Sequence, residues 1–161
     1  MAGVDADADP EAVARQIVLR KLSAQARTRV ELERALQAKN VPPAVATGVL
    51  DRMEELRLID DAGFARDWVE SRQGRRHLSK GALRRELHTK GVAKDEIEAA
   101  LQGVGPADEL SAARALAAKK VRGMGGLDRA VRYRRLAGAL GRRGFGSGVI
   151  SQVLAEVVDL S

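Results

Sequence analysis

The sequence predicts an all-α protein built as three tandem three-helix repeats in an elongated array. Three observations predict it. First, Leu32, Leu36, Lys39, Val41, Ala46 and Leu50 recur 51 residues later as Leu83, Leu87, Lys90, Val92, Ile97 and Leu101. They recur again 53 residues further on as Leu136, Leu140, Arg143, Phe145, Ile150 and Leu154. A fixed period of about 50 residues marks one supersecondary unit copied along the chain. Second, Ala, Leu, Arg, Glu and Lys dominate, apolar residues recur at three and four, and no alternating strand pattern stands out. Third, a unit of about 50 residues buries too little surface to be stable alone, so each must lean on its neighbours. An array of that kind has a long surface, suited to a large partner.

The elements follow in order. Helix A of the first unit runs from about Glu11 to Ser23, with apolar pairs Val13–Ala14 and Ile17–Val18. The 51-residue offset returns these as Phe64–Ala65 and Trp68–Val69. In the third unit the match is Ala112–Ala113 and Leu116–Ala117, which requires a longer connection to helix B. Arg122-Gly123-Met124-Gly125-Gly126 supplies that length. Helix B begins at Thr28-Arg29-Val30-Glu31, a capping box, and Ser79 and Asp128 are the equivalent N-caps. It ends each time in a basic residue, then Asn or Gly, then an apolar residue: Lys39-Asn40-Val41, Lys90-Gly91-Val92 and Arg143-Gly144-Phe145. Asn or Gly there can take the left-handed conformation that closes a helix. Helix C starts at Pro42-Pro43 in the first unit and is capped by Ser147 in the third. Asp60 and Asp61 cap the second helix A, and Gly103-Val104-Gly105-Pro106 separates the second unit from the third. The expected division is a disordered tail over 1–10 and repeats over 11–58, 59–104 and 105–161.

Charge is unevenly placed. The 161 residues carry a net charge of +6: residues 1–60 are at −1, 61–100 at +2 and 101–161 at +5. A basic surface attracts nucleic acid or an acidic protein, and charge alone does not separate the two. The chain has no cysteine, so disulfide and thiol chemistry are excluded and a cytoplasmic location is expected. The acidic stretch from Met1 to Asp9 lacks the pattern of a signal peptide, and no apolar run is long enough to span a membrane.

Three stretches resemble the RecX family of regulatory proteins, modulators of the RecA recombinase. They are Ile59-Asp60-Asp61-Ala62-Gly63-Phe64-Ala65 with Trp68 and Arg72; Gly81 to Leu87 with Lys90-Gly91-Val92; and Arg134-Arg135-Leu136 with Leu140, Arg142-Arg143-Gly144-Phe145 and Ile150. With the first repeat they cover about residues 11–158. The resemblance implies three-helix units in a curved array. It also implies binding in the groove of the RecA–DNA filament and inhibition of its ATPase and strand exchange. The chain departs from the family in the Ala-rich helix A of the third unit.

Candidate contacts with RecA or DNA are the basic clusters Arg72, Arg75, Arg76, Lys80, Arg84, Arg85 and Arg132, Arg134, Arg135, Arg142, Arg143. Each joins a loop to a helix end with few acids nearby; the bland alternative is a solvated face. Lys39, Lys90 and Arg143 end helix B, where a cation is favoured by the helix dipole by about 0.3–1 kcal/mol. His77 and His88 lack a cysteine or carboxylate cluster, so no metal site, cofactor or catalytic group is expected. Gly141, Gly144, Gly146 and Gly148 do not make a phosphate loop, because no Gly-Lys-Ser/Thr follows. Of the aromatics, Phe64, Trp68 and Phe145 belong to packing, and Tyr133 is left open as a stacking platform. The expected protein is a non-enzymatic, monomeric regulator of the RecA filament, with weak electrostatic contact to single- or double-stranded DNA. The alternatives are an independent DNA-binding protein of helix-turn-helix type and a scaffold that binds only protein.

Overall fold

The structure, a computed structural model, describes residues 9–76 and 78–158 and, within them, every side chain except those of 73–76 and 158. The tail expected over 1–10 therefore falls outside the described residues, apart from Asp9 and Pro10. Nine helices and no strand occur among the described residues. Unit one holds α1 (Pro10–Ala24), α2 (Arg29–Ala38) and α3 (Pro43–Glu55). Unit two holds α4 (Asp61–Arg76), α5 (Lys80–Thr89) and α6 (Lys94–Leu101). Unit three holds α7 (Pro106–Val121), α8 (Arg129–Arg142) and α9 (Ser147–Val158). Contrary to the expectation that each unit must lean on its neighbours, helix–helix packing is concentrated within each unit, and each has its own core.

The repeated leucines explain the units. Leu32, Leu36 and Leu50 form one core with Ala14, Val18 and Met53. Leu83, Leu87 and Leu101 do the same with Ala65 and Val69, and Leu136, Leu140 and Leu154 with Ala113, Ala117 and Val153. All nine repeated leucines are 0–2% exposed. Burying each stabilises its unit by about 1.5–3 kcal/mol. The Ala-rich α7 thus packs through Ala112, Ala113, Leu116 and Ala117, as its register against α4 requires.

The closing turns of α2, α5 and α8 are one structure used three times. Asn40, Gly91 and Gly144 have φ of 58°, 83° and 89°. The next residue's N–H then reaches back to the leucine carbonyl five residues earlier: Val41 to Leu36, Val92 to Leu87 and Phe145 to Leu140, at 3.1, 3.1 and 3.2 Å. Thr28 forms its capping box, and the Ser79 hydroxyl accepts from the Ala82 N–H. One expectation on capping holds in position only, and two need correction. Asp128 holds the N-cap position of α8 without a side-chain capping bond. Ser147 lies one residue inside α9 rather than before it. Asp60 does cap α4, accepting from the Gly63 N–H at 3.0 Å, but Asp61 faces away and accepts from the Arg29 N–H of α2 at 3.0 Å. Sequence proximity favoured the local cap; the neighbouring unit offers an unsatisfied helix N–H, and the carboxylate takes it.

That contact is part of a joint between units, and the joint occurs twice. The Thr28 hydroxyl donates to the Lys90 carbonyl at 2.6 Å, and the Ser79 hydroxyl donates to the Arg143 carbonyl. The Arg29 N–H donates to Asp61, and the Lys80 N–H donates to Glu109. In both joints the first turn of one unit's helix B meets the closing turn of the next unit's helix B. Thr28 and Ser79 are fully buried there.

Candidate functional site

The basic residues singled out in the sequence fall into three environments. Arg84 is neutralised locally: its Nε donates to Glu98 at 2.6 Å and its Nη2 to the other Glu98 oxygen at 3.3 Å. The bonds to Glu98 raise the Arg84 pKa, and the same bonds lower that of Glu98. Such a pair on α5 and α6 is spent within unit two. Lys80 contributes its backbone N–H to the second joint and keeps a half-exposed side chain. Arg75 and Arg76 lie in α4, but their side chains fall outside the described residues.

The second environment is a cleft of about 510 Å³ lined by Trp68, Arg72, Arg85, Glu86, Thr89 and Lys90. Trp68 projects from α4 and stacks on Phe64 with ring centroids 5.8 Å apart, both rings leaning on the unit-two core. Its Nε1 donates to Glu86 at 2.7 Å. The Arg72 guanidinium lies 4.3 Å from its ring centroid and the Lys90 ammonium 5.2 Å, a cation–π arrangement. Glu86 also lies 3.9 Å from Arg72, and Glu31 of unit one 3.7 Å from Lys90. With Phe64 and two cations around the ring, Trp68 is not a platform for a nucleobase. Arg85 donates through Nη2 to the Arg142 carbonyl at 3.3 Å and so touches unit three.

The third environment is a cleft of about 380 Å³ between α7 and α8, lined by Lys120, Met124, Arg134, Arg135, Gly138 and Arg142. Its four cations have no carboxylate within 4 Å among the described residues, whereas Arg114 on the same helix as Lys120 pairs with Glu156 at 2.6 Å. Sequence reasoning found Arg134, Arg135 and Arg142 but missed Lys120. The third unit's altered register hid it, because Lys120 reaches this cleft from the last turn of α7. Arg132 is half-exposed on α8, and Arg143 is exposed while its carbonyl is held by Ser79. Tyr133, between Arg132 and Arg134, is 48% exposed. The convergence is chemically simple: a wall of permanent positive charge with an apolar floor at Met124, suited to phosphate or carboxylate.

No group of histidine, cysteine, aspartate and glutamate that could hold a metal occurs among the described residues. His88 is exposed in the last turn of α5, and His77 lies outside the described residues. No described helix is long and apolar enough to cross a membrane.

Comparison with known proteins matches each unit in turn. Residues 14–53 match the family model for the RecX first three-helix domain, residues 60–101 the second, and residues 107–154 the third. Regulatory protein RecX of Streptomyces coelicolor is 44% identical over 151 residues, covering 94% of this chain and 80% of that protein. The RecX of Thermobifida fusca is 40% identical over 157 residues, covering 98% and 85%. That of Mycobacterium tuberculosis is 38% identical over 148 residues, covering 89% and 85%. The crystal structure of RecX from Lactobacillus salivarius shares the fold at a TM-score of 0.87 and 22% identity, covering 95% of this chain and 99% of that one. Three domain matches in the right order, on units whose cores and closing turns repeat in the same order, place the chain in the RecX family of regulatory proteins.

Proposed function

We propose that this chain is a non-enzymatic, cytoplasmic regulator that binds the RecA nucleoprotein filament as a monomer and restrains its ATPase and strand exchange in recombination and DNA repair. Family membership supplies the partner, since the RecX name denotes regulation of RecA. The observation that carries the reading to particular residues is the α7–α8 cleft. Lys120, Arg134, Arg135 and Arg142 converge there without an acid among the described residues. A filament of protein on DNA presents phosphate and acidic side chains along its length, and an array of three units offers a long surface to match. Arg72, Arg85 and Lys90 extend the basic surface into unit two, and Arg132 and Arg143 flank it in unit three. Arg84 ranks last among the candidate contacts because Glu98 already holds it. The repeats 11–58, 59–104 and 105–161 act as three contact modules in this reading.

The test is co-sedimentation with RecA alone, with DNA alone, and with RecA on DNA carrying a non-hydrolysable ATP analogue, alongside RecA's DNA-dependent ATPase. Binding should be strongest to the filament, and ATP hydrolysis should fall at equimolar or lower protein. Tight binding to duplex DNA with RecA activity unchanged would sink the proposal and favour the helix-turn-helix alternative.

A further inference from the structure

The repeats differ from one another at two positions in a way the joints explain. The N-caps of helix B are Thr28, Ser79 and Asp128; the closing residues are Asn40, Gly91 and Gly144. Thr28 and Ser79 each face the next unit's closing turn, whereas no further unit follows Asp128 among the described residues. Gly91 and Gly144 each receive the preceding unit, whereas none precedes Asn40 there.

The chemistry fits that division. At an occupied joint the N-cap must accept from its own helix and donate to a foreign carbonyl at once. The Thr28 hydroxyl accepts from the Glu31 N–H at 3.3 Å and donates to Lys90; the Ser79 hydroxyl accepts from the Ala82 N–H at 3.0 Å and donates to Arg143. A hydroxyl does both, and an ionised carboxylate can only accept. At the receiving turn a side chain is excluded. A Cβ on Gly91 would lie 2.4 Å from the Val30 Cβ, and one on Gly144 would lie 3.0 Å from both the Gly81 Cα and the Ser79 Oγ. Asn40, which receives no other unit among the described residues, carries a Cβ in the same positive-φ region. The Lys90 and Arg143 carbonyls are among those a helix C-terminus leaves unbonded, so the hydroxyl satisfies an orphan acceptor as it ties the units. The dipoles of the two helices also meet positive end to negative end.

We propose that the Thr28 and Ser79 hydroxyls are the pins of an articulated array. Each fixes the angle between two units, and removing its donated proton lets one unit swing against the next while every unit keeps its own fold. Core packing leaves room for this, because the three hydrophobic clusters are separate. Around each pin lie the Asp61 or Glu109 carboxylate on a backbone N–H, and one side-chain contact besides: Lys90 with Glu31 at 3.7 Å in the first joint, Arg85 on the Arg142 carbonyl at 3.3 Å in the second.

Aspartate is the discriminating substitution, since it keeps the N-cap and removes the donor. The chain has no cysteine, so spin labels can be placed freely. Cysteines at the exposed positions Thr47 and Gln102 report the first joint, and cysteines at Gln102 and Ala155 the second. Ser79→Asp should broaden or shift the distance distribution of the second pair and leave the first unchanged. Thr28→Asp should do the reverse. A buried acceptor left unpaired should change the closed-to-open ratio by about 5- to 150-fold. Ser79→Thr and Thr28→Ser keep a donor and should keep the native distributions. Ser79→Ala and Thr28→Val, which remove the donor without adding charge, should act like the aspartates. Unchanged distances in the aspartate and apolar variants would overturn the proposal, and so would loss of helical circular dichroism in all of them, because the hydroxyls would then hold the fold and not the angle.

Discussion

Unit one and unit three are built on the same leucines and differ in what their cations do. In unit one, Arg15 pairs with Glu11 at 3.0 Å, Arg52 with Glu55 at 2.9 Å, and Arg29 with Asp51 and Glu54 at 2.8 and 3.1 Å. Burial opposes the Arg29 charge, but hydrogen bonds from Arg29 to Asp51, Glu54 and Glu33 together outweigh it and raise its pKa. In unit three, Arg114 has Glu156, while Lys120, Arg134, Arg135 and Arg142 share a cleft with no carboxylate among the described residues. A surface ion pair contributes little to stability, about 0–1 kcal/mol. The acids of unit one matter more by what they remove, namely free positive charge. The repeated fold is therefore common property, whereas a cleft lined by four cations with no carboxylate partner among the described residues is found in unit three.

The largest expected effect tests that contrast directly. Changing Arg134 and Arg135 together to Gln should weaken filament binding by about 3 kcal/mol or more, because charge-assisted hydrogen bonds contribute about 1.5–3 kcal/mol each. Where the two arginines meet duplex phosphate, the log–log salt dependence should flatten by about 0.9 for each phosphate no longer neutralised. Changing Arg15 and Arg52 to Gln should leave both affinity and slope as they were. Equal reductions from the two pairs, measured by salt titration of filament binding, would erase the distinction between the ends.

The closing turns give the next comparison. Gly91→Ala adds a Cβ at φ 83° within 2.4 Å of Val30, so strain and overpacking act together. The cost should be about 2–4 kcal/mol. Asn40→Ala, at the equivalent turn with no other unit packed on it among the described residues, meets the positive φ without the overpacking and should cost only about 1 kcal/mol. Urea unfolding of both variants checks this. Similar costs at the two turns would mean that the positive φ matters and the neighbouring unit does not.

The leucine register, the capping box at Thr28 and the three closing turns were legible in the sequence because they rest on local geometry: 3.6-residue periodicity, a hydroxyl before a Glu, an Asn or Gly at a left-handed position. The joints were not. Asp61 reads as a cap for its own helix, and only the placement of unit two beside α2 turns it to Arg29. Lys120 and Lys90 were missed as cleft residues for the same reason, since each acquires its neighbours across helices distant in sequence. Arg84 reads as unpaired because Glu98, fourteen residues away, is silent in a local charge count. The difference between Thr28, Ser79 and Asp128 was visible, but its meaning depends on which turns face a neighbour.

A smaller effect separates the first joint from unit three by pH. Burial raises the Asp61 pKa above its ordinary 3.8, against the opposing bond from the Arg29 N–H. Its folded-state pKa exceeds the unfolded one, so its contribution is fully present below pH 3.8 and fades as pH rises through the folded value. The Arg114 hydrogen bond lowers the Glu156 pKa from 4.5, so that contribution is present above pH 4.5 and fades as pH falls through the folded value. Asp61→Asn, whose amide oxygen still accepts from Arg29, should remove the first trend. Glu156→Gln should remove the second. Denaturation midpoints measured from pH 3 to 7 should therefore shift in opposite senses for the two variants, and a common direction would contradict the assigned causes.

The smallest effect is expected at Asp128. Asp and Ser are nearly equivalent as N-caps, so exchange between them at an open helix end should alter stability by only about a few tenths of a kcal/mol. Asp128 makes no side-chain capping bond and is exposed, which leaves little for the exchange to disturb. Asp128→Ser should accordingly leave the urea midpoint and the unit-two to unit-three distance unchanged. The inverse exchange at the equivalent position, Ser79→Asp, is expected to open a joint. One pair of residue types, swapped in opposite directions at two copies of the same structural position, thus separates the demand of a joint from helix capping, and Ser79→Ala separates the lost proton from the added buried charge. If Asp128→Ser disturbed the array as much as Ser79→Asp does, the N-caps would be acting through helix stability alone, and the joints would lose their claim on the hydroxyl.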